Sequence, residues 1–325
     1  MKTITTAFGF LCAISSVFLA SAMAGEKPVQ TVIISFDGAH DNAQWQRSLD
    51  LGRRTGAEFT YFLNCVYALS PEHKQHYDAP NKGVGKSNVG FGKSQQDVAE
   101  RLNYIWQAHL EGHEMASHTC GHFDGKDWTK LQWQSEFVQF DRIMKDAWVV
   151  NGWSPQPAGW RAMVDGIDGF RAPYLSTNAN LYAALRDAHF AYDASKVERD
   201  IRAPRTSGLM MQFALPTIAE GPQHRRVVAM DYNLFVRHSG GFERADDDGA
   251  FEKRTLDALN AAFKTQYLGA RNPVQFGLHF TLMNGGAYWR AVEKFASDVC
   301  VKPDVRCVSY RTYQARWSAA KRSAS

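Results

Sequence analysis

The sequence lacks the patterns that mark several classes of protein. It contains five cysteines in 325 residues, and no two of them form a Cys-x-x-Cys pair, so a zinc site made of cysteines is not expected. The formal net charge of +4 is small and no long basic run occurs, which argues against a nucleic-acid-binding protein. No apolar run is long enough to span a membrane. Neither an internal repeat nor a linker is visible in the sequence.

What the chain does have is enough apolar sequence for a large core. Hydrophobic residues make up 45% of it and charged residues 22%. This composition is compatible with one large domain of roughly 300 residues when the fold is a barrel. Aromatic residues are plentiful at 13%. Because aromatic rings line sugar-binding clefts as well as ordinary cores, they do not by themselves indicate a function.

The first 24 residues have the pattern of a secretory signal peptide. Lys2 precedes an apolar run over residues 7–19, and Ala22 and Ala24 form an Ala-x-Ala cleavage site. Cleavage after Ala24 leaves a mature chain of residues 25–325. We therefore expect an exported protein, either periplasmic or secreted.

Export to an oxidising compartment changes the interpretation of the cysteines. Cys12 is removed with the signal peptide, so an even number of cysteines remains in the mature chain. Cys300 and Cys307 flank a turn-like connector and can close a short loop. Cys65 and Cys120 each follow a predicted strand, and they can meet if those two strands are neighbours. Disulfides are therefore favoured over cysteine metal ligands.

Short apolar runs alternate along the mature chain with longer amphipathic stretches. Such alternation is typical of parallel strands covered by helices, an α/β architecture. A segment rich in Gly, Lys, Asn and His, residues 71–92, is predicted to be an exposed loop. The predicted strands are 32–36, 59–63, 114–116, a strand end at 169–174, 227–231, 274–280 and 306–310. The predicted helices are 45–55, 94–111, 133–149, 180–188, 249–266 and 288–299.

The most informative stretch is a pair of histidines at the end of a predicted strand. The apolar run 114–116 is followed by His118 and His122, which are four residues apart. Two imidazoles at the end of one strand can converge on one metal ion. Ser117 and Thr119 carry hydroxyl groups that can orient an imidazole through its other ring nitrogen. A pair of buried structural histidines is the alternative interpretation.

Other chemically versatile side chains also follow predicted strands, where the active sites of barrels are built. Asp37 comes directly after strand 32–36, although a helix cap is an alternative role for it. Arg171, Asp231 and His279 lie at three further strand ends. Arg171 can instead be a structural ion-pair partner, Asp231 a supporting or substrate-contacting carboxylate, and His279 a core histidine.

These elements together resemble one known family. Their order and context are similar to those of the polysaccharide deacetylases, the NodB-type carbohydrate esterases, and most closely to the chitin-deacetylase-like branch. The resemblance extends over about residues 30–317. It is carried by Phe36-Asp37, Gly112-His113-Glu114, His118-Thr119-Cys120-Gly121-His122, Phe170-Arg171-Ala172-Pro173-Tyr174-Leu175 and Tyr192-Asp193-Ala194-Ser195.

The resemblance implies a fold, a reaction and a cofactor. The fold is a distorted (β/α)-barrel of the polysaccharide deacetylase (NodB homology) type. The reaction is hydrolysis of N-acetyl groups on an amino-sugar polysaccharide, either chitin-like or a cell-wall or exopolysaccharide. One divalent metal ion, most simply zinc, is held by His118 and His122, where it polarises the amide carbonyl and activates water.

The resemblance also implies roles for individual residues. Asp37 matches the general base and Arg171 the residue that orients it. Asp193 falls where the family places a second acidic partner. The backbone N–H of Tyr174 helps to hold the oxyanion, and His279 is the candidate general acid that protonates the leaving amine.

The sequence departs from the family at the third metal ligand. The family has a second acidic residue after the base, whereas here Asp37 is followed by Gly38. His40 or Asp41 can take this ligand position, with Asp41 favoured, or water can fill it. Two functional hypotheses follow. The protein is either an active metal-dependent deacetylase or a catalytically impaired relative that binds glycan without turnover.

Overall fold

The fold is built on a curled sheet of ten strands covered by helices. The structure, a computed structural model, describes residues 28–245 and 247–324. The predicted signal peptide, residues 1–24, lies outside the described residues. Within the described ranges, no helix is both long and apolar enough to cross a membrane.

Twelve strands are formed by the described residues, ten of them in the main sheet and two in a separate small hairpin. The hairpin consists of β3 and β4 and lies within the predicted exposed loop. The strands are β1 (Gln30–Gly38), β2 (Thr60–Leu63), β3 (Asp78–Ala79), β4 (Gly83–Val84), β5 (Glu114–Ser117), β6 (Gly169–Phe170), β7 (Tyr192–Glu198), β8 (Arg205–Ser207), β9 (Met210–Glu220), β10 (Arg225–Val228), β11 (Val274–His279) and β12 (Val305–Cys307).

The helices lie mainly between successive strands of the sheet, as a β/α alternation requires. Ser94 caps one of these helices, since its Oγ accepts a hydrogen bond from the backbone N–H of Asp97. The helices are α1 (Asn42–Thr55), α2 (Gln95–Leu110), α3 (Lys130–Val150), α4 (Trp160–Asp165), α5 (Ala179–Asp187), α6 (Asp231–Ser239), α7 (Ala250–Leu268), α8 (Ala287–Val299) and α9 (Tyr310–Ala324).

The sheet is mostly parallel and curls until its two ends approach each other. The strand order is β10-β9-β7-β6-β5-β2-β1-β11, with β12 paired to the start of β1 and β8 to β9. Only the pairs formed by β9 with β8 and β10 are antiparallel. Beyond β10, Met230 bridges to Gly277 of β11, and the Gly277 N–H donates to the carbonyl of Ala229 at 3.0 Å. The distorted barrel that the family resemblance predicts is thus confirmed.

Side chains of the strands divide between two apolar clusters, because successive residues of a strand point to opposite faces. On one face, Phe36 of β1 packs against Trp289 of α8 and belongs to the large cluster beneath the helices. On the other face, Ile33 of β1 joins a smaller cluster that contains Phe62 and Tyr310. Tyr310, the first residue of α9, therefore closes the inner face of the sheet.

The structure corrects parts of the predicted secondary structure. The predicted last strand, 306–310, is present but shorter, because β12 ends at Cys307 and Tyr310 begins helix α9. The long strand β9 was not predicted, since Pro216 interrupts its apolar pattern and proline is disfavoured inside strands. Helix α6 starts directly at Asp231, where the sequence suggests only the end of a strand.

Both expected disulfides are present. Cys65 and Cys120 are joined because β2 and β5 are neighbours in the sheet, so their C-terminal ends lie side by side. Cys300 and Cys307 close a short loop between α8 and β12. Two disulfides are in keeping with an oxidising compartment such as the periplasm or the extracellular space.

We predict that the two disulfides stabilise the fold unequally. The stabilising effect grows with the length of the closed loop, and the two cysteine pairs are 55 and 7 residues apart. Replacing Cys65 and Cys120 with alanine should lower the free energy of unfolding by about 4 kcal/mol, and replacing Cys300 and Cys307 by about 2 kcal/mol. Urea unfolding of the two double variants measures the difference. Equal losses, or a larger loss for the short loop, would contradict this account.

Candidate functional site

A cleft opens where the C-terminal ends of the central strands meet. Its volume is about 440 Å³, within the range of ligand-binding pockets. Four of the predicted site side chains line it together, from strands that are far apart in sequence. The lining residues are Asp37, His118, His122, Ala172, Tyr174, Leu175, Met230, Tyr232, Asn233 and His279.

Asp37 is held beneath this cleft by a buried ion pair. Its Oδ1 accepts a hydrogen bond from Nη1 of Arg171 at 2.7 Å, and both side chains are buried. Burial alone would raise the pKa of Asp37, but the positive charge of Arg171 and its hydrogen bond, together with interactions with His118 and His279, outweigh burial and lower the pKa below its ordinary value. Asp37 is therefore ionised at neutral pH, as a general base must be.

Arg171 is fixed by contacts in every direction. Besides Asp37, its guanidinium donates to Ser35 Oγ at 2.9 Å and to the Tyr310 hydroxyl at 2.9 Å. Its Nε donates to the carbonyl of Ala194 at 3.1 Å, and its charge lies 4.2 Å from the centroid of the Phe62 ring. The arginine therefore connects strands β1, β2 and β7 with helix α9 and sets the position of the carboxylate.

His118 is held in one tautomer. Its Nδ1 lies 2.8 Å from the carbonyl oxygen of Arg171, and a carbonyl can only accept, so Nδ1 carries the proton. The lone pair of Nε2 is thereby left for a ligand, which is the arrangement seen at histidine metal sites. The ring of His122 lies 4.9 Å from that of His118, centroid to centroid. The two imidazoles therefore lie close together, as the binding of one ion by both would require.

Both histidines are uncharged near neutral pH. Burial lowers the pKa of His118 to about 3 and that of His122 to about 4. The neighbouring charge of His279 lowers the pKa of His122 further. The Nδ1 atom of His122 is buried and makes no hydrogen bond within residues 28–245 and 247–324. An unpartnered ring nitrogen beside a second neutral imidazole suits a divalent cation.

His279 has the opposite electrostatic environment. Its Nδ1 lies 2.7 Å from Oδ1 of Asp231, and its backbone N–H donates to Oδ2 of the same carboxylate at 2.8 Å. Burial alone would lower the pKa of His279, but the carboxylates of Asp231 and Asp37 outweigh it, so the pKa lies above its ordinary value. The core-histidine alternative does not explain this arrangement, because the ring also lines the cleft.

Asp37 and His279 are direct neighbours across two strands. The parallel pairing of β1 with β11 sets them in register at the strand ends. An ionised carboxylate and a histidine with a raised pKa therefore share one cleft. Two titratable groups whose surroundings push their pKa values apart are suited to act as base and acid in one reaction.

Tyr174 lies at the mouth of the cleft. Its ring is 59% exposed and packs edge-on against the ring of His122, with 5.0 Å between centroids. The turns around the cleft adopt left-handed backbone angles that non-glycine residues seldom take, a form of strain common at functional sites. The residues with positive φ here are Ala39, Thr119, His122, Tyr174 and Leu175.

Asp193 is buried next to this site but does not line the cleft. Its Oδ1 accepts hydrogen bonds from the backbone N–H and the hydroxyl of Ser195. The same hydroxyl oxygen accepts from the backbone N–H of Ala172 at 2.8 Å. Through Ser195, Asp193 therefore supports the segment that contains Arg171 and Ala172. The carboxylate bonded to His279 is that of Asp231.

His40 and Asp41 are occupied elsewhere. Asp41 Oδ1 accepts from the backbone N–H groups of Ala43 and Gln44 and so caps helix α1. The His40 ring stacks on Tyr67, with 5.0 Å between centroids. No group of three or more His, Cys, Asp or Glu side chains is gathered at a possible metal position by the residues that the structure describes. The expectation that His40 or Asp41 joins the histidine pair is therefore not met.

The backbone at Gly38 explains why the family's acidic residue is disfavoured there. Gly38 has φ +82°, a left-handed conformation that L residues rarely adopt. A Cβ at this position would meet no close contact, its nearest neighbour being Oδ1 of Asn64 at 3.7 Å. The obstacle to a side chain at residue 38 is thus the backbone angle and not a lack of space.

Sequence reasoning did not identify the pairing of Asp231 with His279. It noted Asp231 at a strand end but could not choose its partner. It also missed Tyr232, Met230 and Asn64. Asn64 directly follows a strand, as His118 does. The rule that barrel sites form at strand C-terminal ends would have identified it.

Structural comparison finds the same fold in solved proteins. One is a Mycobacterium smegmatis protein assigned as a polysaccharide deacetylase (TM-score 0.54, 14% identity, 91% of this chain and 93% of that chain covered). Another, from Pseudomonas aeruginosa PAO1, is assigned to the same class (TM-score 0.53, 14% identity, coverage 88% and 90%). A third is Puue allantoinase (TM-score 0.53, 15% identity, coverage 89% and 90%).

These likenesses establish the fold of the polysaccharide deacetylases for this chain. At identities of 14–15% they establish the fold alone, because one fold can carry several activities. The allantoinase illustrates this point within the same architecture. No protein-family model and no curated protein matches the sequence. The function must therefore be argued from the cleft itself.

We predict that Asp193 makes stability depend on pH. Burial raises its pKa to about 6 from an ordinary 3.8. Between these two pH values the folded state holds the proton more tightly than the unfolded state, so its contribution to stability falls as pH rises. Asp193→Asn removes this titration. The variant should gain about 2 kcal/mol of unfolding free energy relative to the parent on going from pH 4.5 to pH 7.5.

Urea unfolding of parent and variant at the two pH values measures this change. Comparing the two proteins at each pH cancels the titration of all other groups. Asp127→Asn, at an exposed carboxylate, is the matched control and should show no such change. A constant difference between Asp193→Asn and the parent would mean that the Asp193 carboxyl group is not perturbed.

Proposed function

We propose that this protein hydrolyses N-acetyl groups on an amino-sugar polysaccharide, with one divalent metal ion, most simply zinc, bound in the cleft. The substrate is either chitin-like or a cell-wall or exopolysaccharide. The proposal depends above all on the cleft that joins the ionised Asp37 to His279 at the strand ends, beside two neutral histidines. The fold of the polysaccharide deacetylases supports it.

His118 and His122 would hold the metal. The free Nε2 of His118 and the unpartnered Nδ1 of His122 provide two neutral nitrogen donors, which zinc accepts well. When bound, the ion would polarise the amide carbonyl and lower the pKa of water. This pair fills only part of the usual coordination shell, so a further donor is needed.

The protein side chains supply the proton transfers. Asp37, kept ionised by Arg171, takes the proton from the attacking water. His279, whose pKa is raised by Asp231, donates a proton to the leaving amine nitrogen. The backbone N–H of Tyr174 donates toward the oxyanion. The rings of Tyr174 and Tyr232, exposed at 59% and 53%, offer faces on which sugar rings can pack.

One specific observation favours a second function. Gly38 stands where the family has a carboxylate, and His40 and Asp41 are engaged away from the histidine pair. A chain with this site can bind a glycan in the cleft without turning it over. The same cleft would then select the polymer but not release acetate.

Acetate release from N-acetylated glycan, measured with metal content on one purified sample, tests the proposal. The parent should release acetate, and Asp37→Asn should lower the rate at least about 100-fold with the metal retained. Replacing His118 and His122 with alanine should remove both metal and activity. Because an allantoinase shares the fold, allantoin is assayed in parallel.

A second histidine pair in this chain provides the matched control. His73 and His76 lie on a short exposed helical turn with their rings 6.1 Å apart, outside the cleft. Replacing both with alanine should leave metal content and acetate release unchanged. Unchanged metal in the variant of His118 and His122 would refute the metal site. Glycan binding by the parent with no acetate release would support the second function.

We also predict that Asp231 sets the proton affinity of His279. Asp231→Asn removes the charge that raises the pKa of His279, so the pKa should fall. The histidine then loses its proton at a lower pH, and the alkaline limb of the kcat/KM profile moves to lower pH. Titration of the His279 ring by NMR measures the shift without relying on activity. Asp200→Asn, at an exposed carboxylate paired with Arg226, should cause no shift.

A further inference from the structure

Asn64 is a buried polar residue between two elements of the site. It follows strand β2 directly and is only 3% exposed. Its Nδ2 donates a hydrogen bond to the backbone carbonyl of His118 at 2.6 Å. A carbonyl oxygen can only accept, so this bond fixes which end of the amide is the nitrogen. The amide oxygen therefore points away from His118 O.

That amide oxygen lacks a partner. Oδ1 of Asn64 is buried and accepts no hydrogen bond from residues 28–245 or 247–324. A buried carbonyl-type oxygen without a donor costs about 1–3 kcal/mol, so native proteins supply such an atom with a donor, a water molecule or an ion. By contrast, Asn151, another buried asparagine, uses both ends of its amide.

This oxygen lies close to the gap in the expected ligand set. A Cβ on Gly38 would lie 3.7 Å from Oδ1 of Asn64, so the asparagine oxygen lies beside the site of the absent carboxylate. Leu63, the residue before Asn64, is paired on one side with Gly38 and on the other with Ser117. The oxygen is therefore flanked by the ends of the two strands that carry Asp37 and His118.

We propose that Asn64 Oδ1 is an oxygen ligand of the divalent metal ion held by His118 and His122. This inference rests on the proposed function, because it assigns a further donor to the same ion. An amide oxygen is an accepted ligand for divalent cations. Being neutral, it would not restore the charge of the family's carboxylate, so the ion would keep more of its positive charge.

A purely structural role is the competing explanation. In that case Asn64 only tethers the His118 carbonyl, and its oxygen is served by a water molecule. Asn64→Asp separates the two explanations, because aspartate loses the donor to His118 but gains a negative oxygen. If Asn64 is a ligand, the aspartate variant should bind zinc at least as tightly as the parent. If Asn64 is only a tether, the aspartate would break the hydrogen bond to His118 and place a carboxylate against the His118 carbonyl. Zinc binding would then weaken.

The experiment is titration of the metal-free protein with zinc against a chromophoric chelator, using the parent, Asn64→Asp and Asn64→Leu. We expect the leucine variant to bind zinc at least tenfold more weakly than the parent, and the aspartate variant to bind at least tenfold more tightly than the leucine variant. An aspartate variant within tenfold of the leucine variant would overturn the inference. If the leucine variant does not fold, Asn64→Asp is compared with the parent, and weaker binding overturns the inference.

Two matched controls complete the design. Asn151→Asp and Asn151→Leu make the same changes at a buried asparagine whose amide oxygen accepts from the backbone N–H of Ser70. They should leave zinc affinity within about twofold of the parent. The cobalt-loaded protein adds a readout of the ligand set, since its visible spectrum should change in Asn64→Asp and not in Asn151→Asp. A parent that binds no zinc would overturn the proposed metal dependence itself.

Discussion

The buried ion pair between Arg171 and Asp37 is the interaction on which the arrangement of the cleft depends. A guanidinium without exposed surface is tolerated only because every direction around it offers a carboxylate, a hydroxyl, a carbonyl or an aromatic face. Removing one partner from such a pair typically costs about 3–5 kcal/mol, since the other charge is left buried. The pair therefore ties the chemistry to the fold, because the same contacts that position the base also join the strands.

The parallel pairing of the strands positions the other residues of the site. Strands β1, β2, β5 and β6 end at one edge of the sheet. Asp37 lies near the end of β1, and polar residues of the cleft or its support directly follow the other three strands. Register then decides which of these residues meet. Asp37 lies opposite His279 because β1 and β11 pair, and the closure beyond β10 carries Asp231 to the same edge. The barrel thus assembles its site from residues nearly 250 positions apart.

Side chains of the same type have different electrostatic environments in and around the cleft. Burial keeps His118 and His122 neutral, whereas His279 is bonded to the carboxylate of Asp231 and holds its proton more strongly. Asp37 stays ionised beside Arg171, whereas burial raises the pKa of Asp193. The residue types alone would not distinguish the protonation behaviour of these histidines or of these carboxylates, because it is set by the neighbouring groups.

The sequence by itself determined the strand-and-helix alternation, the disulfide-bonded cysteines and the main polar residues at strand ends, because periodicity and strand-end motifs are local in the chain. Helix α9, strand β9 and the contacts of Asp193, Asp231 and Asn64 were decided only by the tertiary structure. The hydrogen bond between Asp231 and His279 spans 48 residues and depends on sheet register, which no local pattern records. Asp41 shows the reverse case, since its place after Gly38 suggested a ligand while the start of helix α1 uses its carboxylate as a cap. The sequence gives the type of each side chain, but its contact partner depends on the packing of helices and strands that are far apart in the chain.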